Sequence, residues 1–419
     1  LWRIGLHAAL VAHFVILAAF YLALTQSYRK RMSLWIALIV VTALIHVYLL
    51  LMVLTIWFGN FLDQLWIVKT KTYKQAALEL VLCLLIVGFC LWQAGYFSLE
   101  VQAAATSDLY GAWGLNLFSF LDSQNWSYLP SLMPLMHVNN ESFFYLGLGI
   151  LLLLVLCLLK MRLFSVLIRS ALDRHRMLAV CLLILMLFAI SHEVRLGAWH
   201  FSYSLPQVWV DQYASIFRLS ARLAWPIWYA LVLAVLFGVI RYFSYAQATI
   251  ILLLALVLQV MDLSHGYLPL RERNQAMQDL RFGQPTKSDF WQEAAQRYER
   301  VRFFPLRANP LPQPHWYTLS TYSAKYHLAT NAVYLSRLDG AKVQQVNTQF
   351  WEQLQEGNLD TNSLYIFELS NAANIRPWIN RQTDYFALID EHLVVLAFNW
   401  KTCAHCPFDA AEVALDRSI

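Results

Sequence analysis

The sequence predicts a polytopic α-helical membrane protein of about eight spans, followed by a C-terminal soluble α/β or α+β domain. Three observations carry this expectation. Apolar residues fill 59% of the 419 positions and charged residues only 14%, a balance typical of chains that live in lipid. The apolar residues gather into separate runs that approach the length needed to cross a hydrocarbon core of about 30 Å. Those runs stop near residue 262, and residues 263–419 turn to Gln, Asn, Pro and charged residues.

The expected spans are 5–25, 34–45, 48–61, 77–97, 143–159, 177–190, 223–240 and 250–261. The second and third read as one run over 34–61, which as a single helix would stretch about 42 Å. Arg29, Lys30 and Arg31 precede this run, and Lys69, Lys71 and Lys74 follow it. The positive-inside rule puts both flanks in the cytoplasm, so the run should turn near His46 as a helical hairpin. Lys160, Arg162, Arg169, Arg174, His175, Arg176 and Arg241 then fall on the cytoplasmic side. The loops 98–142 and 191–220 fall on the other side, as does everything after Asp262. The expected location is therefore a bacterial inner (cytoplasmic) membrane with the C-terminal domain in the periplasm. The chain starts at Leu1 without Met and is inside a span by Gly5, so an upstream segment is expected to be missing.

The two expected domains are 1–262, carrying the spans and loops, and 263–419, soluble and large enough to hold a core. Within the second, 301–306, 331–335, 363–369 and 385–398 read as strands, while 289–298 and 342–356 have helical spacing. Cys83, Cys90, Cys157 and Cys181 lie in apolar runs and read as packing. Cys403 and Cys406 form Cys-Ala-His-Cys, which suits a local disulfide, a redox pair or half of a zinc site. The net charge of +5 is spread over the cytoplasmic loops and leaves no nucleic-acid footprint.

Candidate functional residues concentrate in the exported loops. Arg218 and Arg222 are spaced i, i+4, which on a helix puts both guanidinium groups on one face, able to hold a lipid phosphate. The alternative is an internal salt bridge to Asp211 or Glu193. Glu141 precedes an apolar helix behind Asn139 and Asn140, so it either steadies the helix N-terminus or serves as a general base. His137 nearby could share a substrate hydroxyl or a divalent cation with it; the residues assign no particular metal. Trp113, Trp126, Tyr128 and Phe144 read either as an interfacial belt or as a platform for sugar rings. Asn116, His137 and Tyr145 join Trp113 and Trp126 as candidate substrate-binding residues. His46, followed by Tyr48, sits at the hairpin turn, where it either contacts a head group or phosphate or is simply solvated.

These residues also carry a resemblance. His7 and His13 in the first run, His46-Val-Tyr48, the 126–134 loop leading into Glu141-Ser-Phe-Phe-Tyr-Leu-Gly-Leu-Gly149, and Phe217-Arg-Leu-Ser-Ala-Arg-Leu-Ala-Trp-Pro226 resemble a family of bacterial integral membrane proteins of largely uncharacterised function. That family is similar to the GT-C superfamily of polytopic glycosyltransferases. Gly357-Asn-Leu-Asp360 before Leu364-Tyr-Ile-Phe367 extends the resemblance into the tail. It implies transfer of a sugar from a polyprenyl-phosphate donor to a cell-envelope glycan or lipid acceptor, by inversion, with a carboxylate activating the acceptor. Arg218 and Arg222 match the family's paired arginines, and His46 matches a turn position commonly followed by Pro, where this chain has Val47. The acidic residue of GT-C enzymes usually lies in the first exported loop, so here Glu141 stands as a substitute. On this reading Arg222→Ala should abolish turnover and leave the fold intact. The competing expectation is a non-catalytic membrane subunit or scaffold of an envelope glycan assembly complex, its tail binding a membrane-protein partner. A glycolipid transporter is disfavoured by the scarcity of charge at mid-depth in the spans.

Overall fold

A computed structural model gives the structure of the protein and describes residues 8–25, 31–98, 110–132, 140–212, 214–279, 288–306, 315–333, 340–380, 382–390 and 393–400. The chain folds as two units that divide after residue 272. The first is built of helices α1 (Phe14–Leu24), α2 (Arg31–Ile45), α3 (Val47–Leu62), α4 (Tyr73–Gln93), α5 (Leu148–Leu159), α6 (Met161–Arg174) and α7 (Arg176–Ile190). A short hairpin, β1 (Glu193–Leu196) with β2 (Trp199–Ser202), and the small helix α8 (Gln207–Gln212) follow, and α9 (Trp225–Tyr242) and α10 (Tyr245–Asp279) complete the series.

Helix α3 is the centre of this unit, packed against α1, α2 and α7. Gly59 permits the closest of these approaches, because a Cβ there would stand 2.5 Å from the Leu178 Cα of α7. Just beyond, Asp63 accepts from Met177 N–H at 2.8 Å and Leu178 N–H at 3.1 Å. A carboxylate thus satisfies the open amides at the start of α7 and faces the positive end of its dipole. Between α2 and α3 a single residue, His46, takes an extended conformation and caps α3. Helix α4 starts with a reciprocal capping box between Thr72 and Gln75. A second apolar cluster joins α5, α9 and α10, with Cys157 tucked beside Gly238.

The expected count of eight spans is not confirmed. Among the described residues, four helical stretches are long and apolar enough to cross a membrane: Val47–Ile67, Tyr73–Gln93, Ser220–Tyr242 and Tyr245–Glu272. The helices in the 5–25, 34–45 and 177–190 runs are shorter, and the 11 residues of α1 rise only roughly 17 Å. The fifth run continues through Lys160 into α6, but the two helices meet at 100°. The apolar helices mark the unit as membrane-embedded all the same.

The second unit holds a five-stranded mixed sheet in the order β4-β3-β5-β7-β6, formed by β3 (Arg300–Phe304), β4 (Ala329–Thr330), β5 (Ser363–Glu368), β6 (Tyr385–Ile389) and β7 (Leu393–Ala397). β3 runs parallel to β4 and β5, whereas β7 is antiparallel to β5 and β6. Helices α11 (Phe290–Arg297), α12 (His315–Tyr326), α13 (Gly340–Glu356) and α14 (Ala372–Ile375) accompany it. Apolar clusters form on both faces, one around Phe290, Trp291 and Tyr385, the other around Phe350, Tyr365 and Phe367. This is why β5 and β7 are almost wholly buried rather than alternating. The 385–398 run is two strands, with Asp390 turning at φ +51°, and α12 occupies a stretch for which no helix was expected.

Candidate functional site

Three segments, 110–132, 140–147 and 191–224, fold over the end of the helical unit that carries the His46 turn. Leu115 N–H donates to the Ala189 carbonyl at 2.8 Å, Leu146 N–H to Phe120 at 3.1 Å and Ala221 N–H to Trp113 at 3.1 Å. Asn116 ties them further. Its Oδ1 accepts from Phe118 N–H and Gly197 N–H, its Nδ2 donates to the Gly197 carbonyl, and its own N–H reaches Ser142 Oγ at 2.8 Å. The amide expected to meet substrate is spent on joining loops.

Arg218 and Arg222 do not share a helical face, which corrects the i, i+4 expectation. Two 3₁₀ turns, Ala214–Phe217 and Ser220–Ala224, flank Arg218 and Leu219, and Leu219 leaves the helical region at ψ 59°. Helix α9 starts only at Trp225, where Pro226 fits the first turn without losing a hydrogen bond. Arg222 is 3% exposed and grips Glu141 with both prongs, Nε–H to Oε2 at 2.6 Å and Nη2–H to Oε1 at 2.8 Å. Its guanidinium carbon lies 5.2 Å from the centre of the Tyr48 ring. Tyr48 in turn accepts from Leu219 N–H through its hydroxyl at 3.1 Å and donates its backbone N–H to His46 Nδ1 at 3.2 Å. Glu141, Arg222, Tyr48 and His46 are therefore one assembly, drawn from three parts of the chain. Arg218 is partly buried and has no ion pair among the described residues. Glu193 serves other partners, and the side chain of Asp211 lies outside the described residues.

Glu193 contacts His200 and stands 3.7 Å from His192 Nε2 and 3.8 Å from Arg195 Nη2. Glu193, His192 and Arg195 line, with Tyr110, Ser204 and Gln207, a cavity of about 450 Å³. Its wall depends on Gly111 at φ +103°, where a Cβ would stand 2.7 Å from Glu193 Cγ and His192 Cε1. Burial, helped by Tyr203, pushes the Tyr110 phenol far above its ordinary range.

The aromatic candidates divide. Trp113 is exposed, with its carbonyl held by Ala221. Trp126 covers Gly266 of α10 and packs on Phe143 at 5.6 Å. Phe144 is buried in the bundle core, facing neither lipid nor cavity. Tyr145 donates to Asp262 Oδ2 at 3.0 Å. Asp262 itself is a residue that the sequence reading passed over. Nearly sealed from solvent, it accepts from Tyr145, from Ser127 Oγ and from Leu148 N–H at 2.9 Å, locking α10 to the start of α5. A lone carboxylate closing an apolar run was the available signal. His137, His7, Cys403 and Cys406 lie outside the described residues. Among the described residues no three His, Cys, Asp or Glu side chains gather to hold a metal ion.

No curated protein and no solved structure matches the chain. Residues 290–397 match the model of the DUF6311 C-terminal domain, and residues 1–264, more than half of the chain, match the domain of unknown function DUF6311. The protein belongs to the DUF6311 family.

Proposed function

We propose that the protein is a GT-C-type glycosyltransferase that moves a sugar from a polyprenyl-phosphate donor to a cell-envelope glycan or lipid acceptor, at the periplasmic face of a bacterial inner membrane. The observation that carries this reading is the Arg222–Glu141 pair, buried on Tyr48 at the end of an apolar bundle, four residues from Arg218, which has no ion pair among the described residues. Buried charge is expensive in such surroundings and is retained where it has a use. Arg218 has no carboxylate partner among the described residues to give up in meeting a phosphate, and Arg222 holds Glu141 in one orientation, with a carboxylate able to take the proton of the acceptor hydroxyl. In the transfer that hydroxyl oxygen bonds to the anomeric carbon, its proton passes to Glu141, and the bond to the lipid phosphate breaks with its electron pair leaving on the phosphate. The cavity around Glu193, lined by hydroxyl, amide, imidazole and carboxylate groups, suits a polyhydroxylated ligand.

The test is release of polyprenyl phosphate by the purified full chain from polyprenyl-phosphate hexoses. Arg218→Ala should lower the rate about 10²–10³-fold, the scale of losing one group that stabilises developing charge, and Arg218→Lys should restore part of it. Turnover unchanged in Arg218→Ala would remove the phosphate role; no turnover of any donor by the unaltered chain would favour a non-catalytic subunit of a glycan assembly complex.

A further inference from the structure

We infer that a second cavity, between α2, α4 and the turn that ends α3, holds the headgroup of an aminophospholipid: a phosphate carrying a primary ammonium. The cavity measures about 410 Å³, and its polar lining is Trp35, Gln64, Thr70, Lys71, Gln75 and Glu79. It lies at the opposite end of α3 from Tyr48.

Two buried donors point to a ligand. Trp35 is 2% exposed and its indole N–H meets no acceptor among the described residues. Gln64 is 6% exposed, and its side-chain amide has no hydrogen bond among the described residues. Folded chains leave few such groups unmet, and an acceptor from outside would satisfy both. Gln64 also sits in a π-helical turn, Asp63–Ile67, an irregularity that is frequent at functional sites. Lys71 brings a cation to the same wall. It donates to Glu79 and lies 5.2 Å from the Phe61 ring, and an ammonium group has three protons to give. Gln75 accepts from Thr72 N–H through its oxygen, which leaves its NH₂ as a further donor. Phosphate oxygens answer this convergence of donors.

Charge narrows the choice. Glu79 accepts from Trp57 Nε1 at 3.2 Å and from Lys71, so the described lining holds one negative and one positive group. A purely anionic headgroup would face Glu79 uncompensated, and a methylated ammonium has no proton to donate to it. A primary ammonium does. Entry from the bilayer is open, because the apolar residues of α4 are largely unburied, with Leu78 at the cavity edge 70% exposed. Acyl chains would lie along that face.

Native mass spectrometry of the delipidated full chain, titrated with dioleoyl phosphatidylethanolamine, phosphatidylglycerol and phosphatidylcholine, tests the assignment. Phosphatidylethanolamine should bind best. Trp35→Phe and Gln64→Leu should each weaken it about tenfold, the value of one lost hydrogen bond. Gln64→Leu should do so without lowering the melting temperature in lipid-free detergent, since its amide has no hydrogen bond among the described residues, while Trp35→Phe should also lower that temperature by leaving a cavity in the core. Glu79→Gln should raise phosphatidylglycerol relative to phosphatidylethanolamine. Equal binding of the three lipids, preference for phosphatidylglycerol, or undiminished binding in both Trp35→Phe and Gln64→Leu would overturn the assignment. So would displacement of the lipid by inorganic phosphate, which would mark a site for a soluble anion. No outcome depends on glycosyl transfer.

Discussion

At Arg222 the chain places a guanidinium and a carboxylate in the interior of an apolar unit, each the other's main compensation. Removing one strips the other of its bidentate counter-charge in a buried site, so Arg222→Ala should destabilise the fold by about 3–5 kcal/mol rather than leave it intact. Arg222→Met combined with Glu141→Leu should recover most of that loss, as read by thermal unfolding in detergent. A single variant that melts with the unaltered protein would mean that the pair carries little buried charge. For the same reason Arg218→Ala is the cleaner probe of phosphate binding. Charged residues beside apolar runs were visible in the sequence, and so Glu141, Arg218 and Arg222 were singled out together with His46 and Tyr48, two of the residues that meet them. Their pairing was not visible. Residues 141 and 222 are 81 positions apart, and spacing reports only local neighbours. The one local inference, a shared helical face, failed because Leu219 breaks the turn between the two arginines.

At the scale of elements, every expected apolar run contains a helix, because a segment rich in Leu, Ile, Val and Phe needs its backbone bonds closed within itself once water is gone. Length was the part that hydropathy could not supply. A helix of 11 residues and one long enough to cross a membrane look alike in composition, as α1 and α9 illustrate. In the second unit, β5 was legible as a dense apolar run and α13 by its helical spacing. Helix α12, with its Tyr, Ser and Thr residues, offered neither signal. The ends of β3 and β5 are also joined by a pH-sensitive knot. Asp360 accepts from Ser363 Oγ at 2.8 Å, from Arg300 Nη1 at 2.7 Å and from Asn362 N–H at 3.1 Å, and these contacts hold its carboxyl below the usual range. A carboxyl whose value is lowered by folding contributes stability that is fully present above its unfolded value, about 3.9, and lost as pH falls through the folded value. Opening of the β3 and β5 amides, read from hydrogen-exchange protection factors in the full chain, should therefore become faster below about pH 4. In Asp360→Asn it should be faster at neutral pH and lose that acid dependence; an unchanged profile would separate Asp360 from the stability of the sheet.

At the scale of the whole molecule, composition changes at residue 262 while the units divide after residue 272, because α10 runs on past its apolar stretch. The family match says that this combination of a helical unit and a sheet unit recurs as one kind of protein. Within the helical unit, the 100° turn at Lys160 has a geometric result. The 14 residues of α6 extend about 21 Å sideways from α5, with Arg162, Arg169 and Arg174 among its polar residues and Met161, Val166 and Leu172 among its exposed apolar ones. That breadth is added at the Lys160 end of α5. A helix set across the bundle with both charged and exposed apolar residues suits the membrane interface, and the binding of such interfacial helices depends on curvature. Offered small and large vesicles of one composition, the protein should collect in the more curved population, and an even distribution would count against α6 lying flat in the interface.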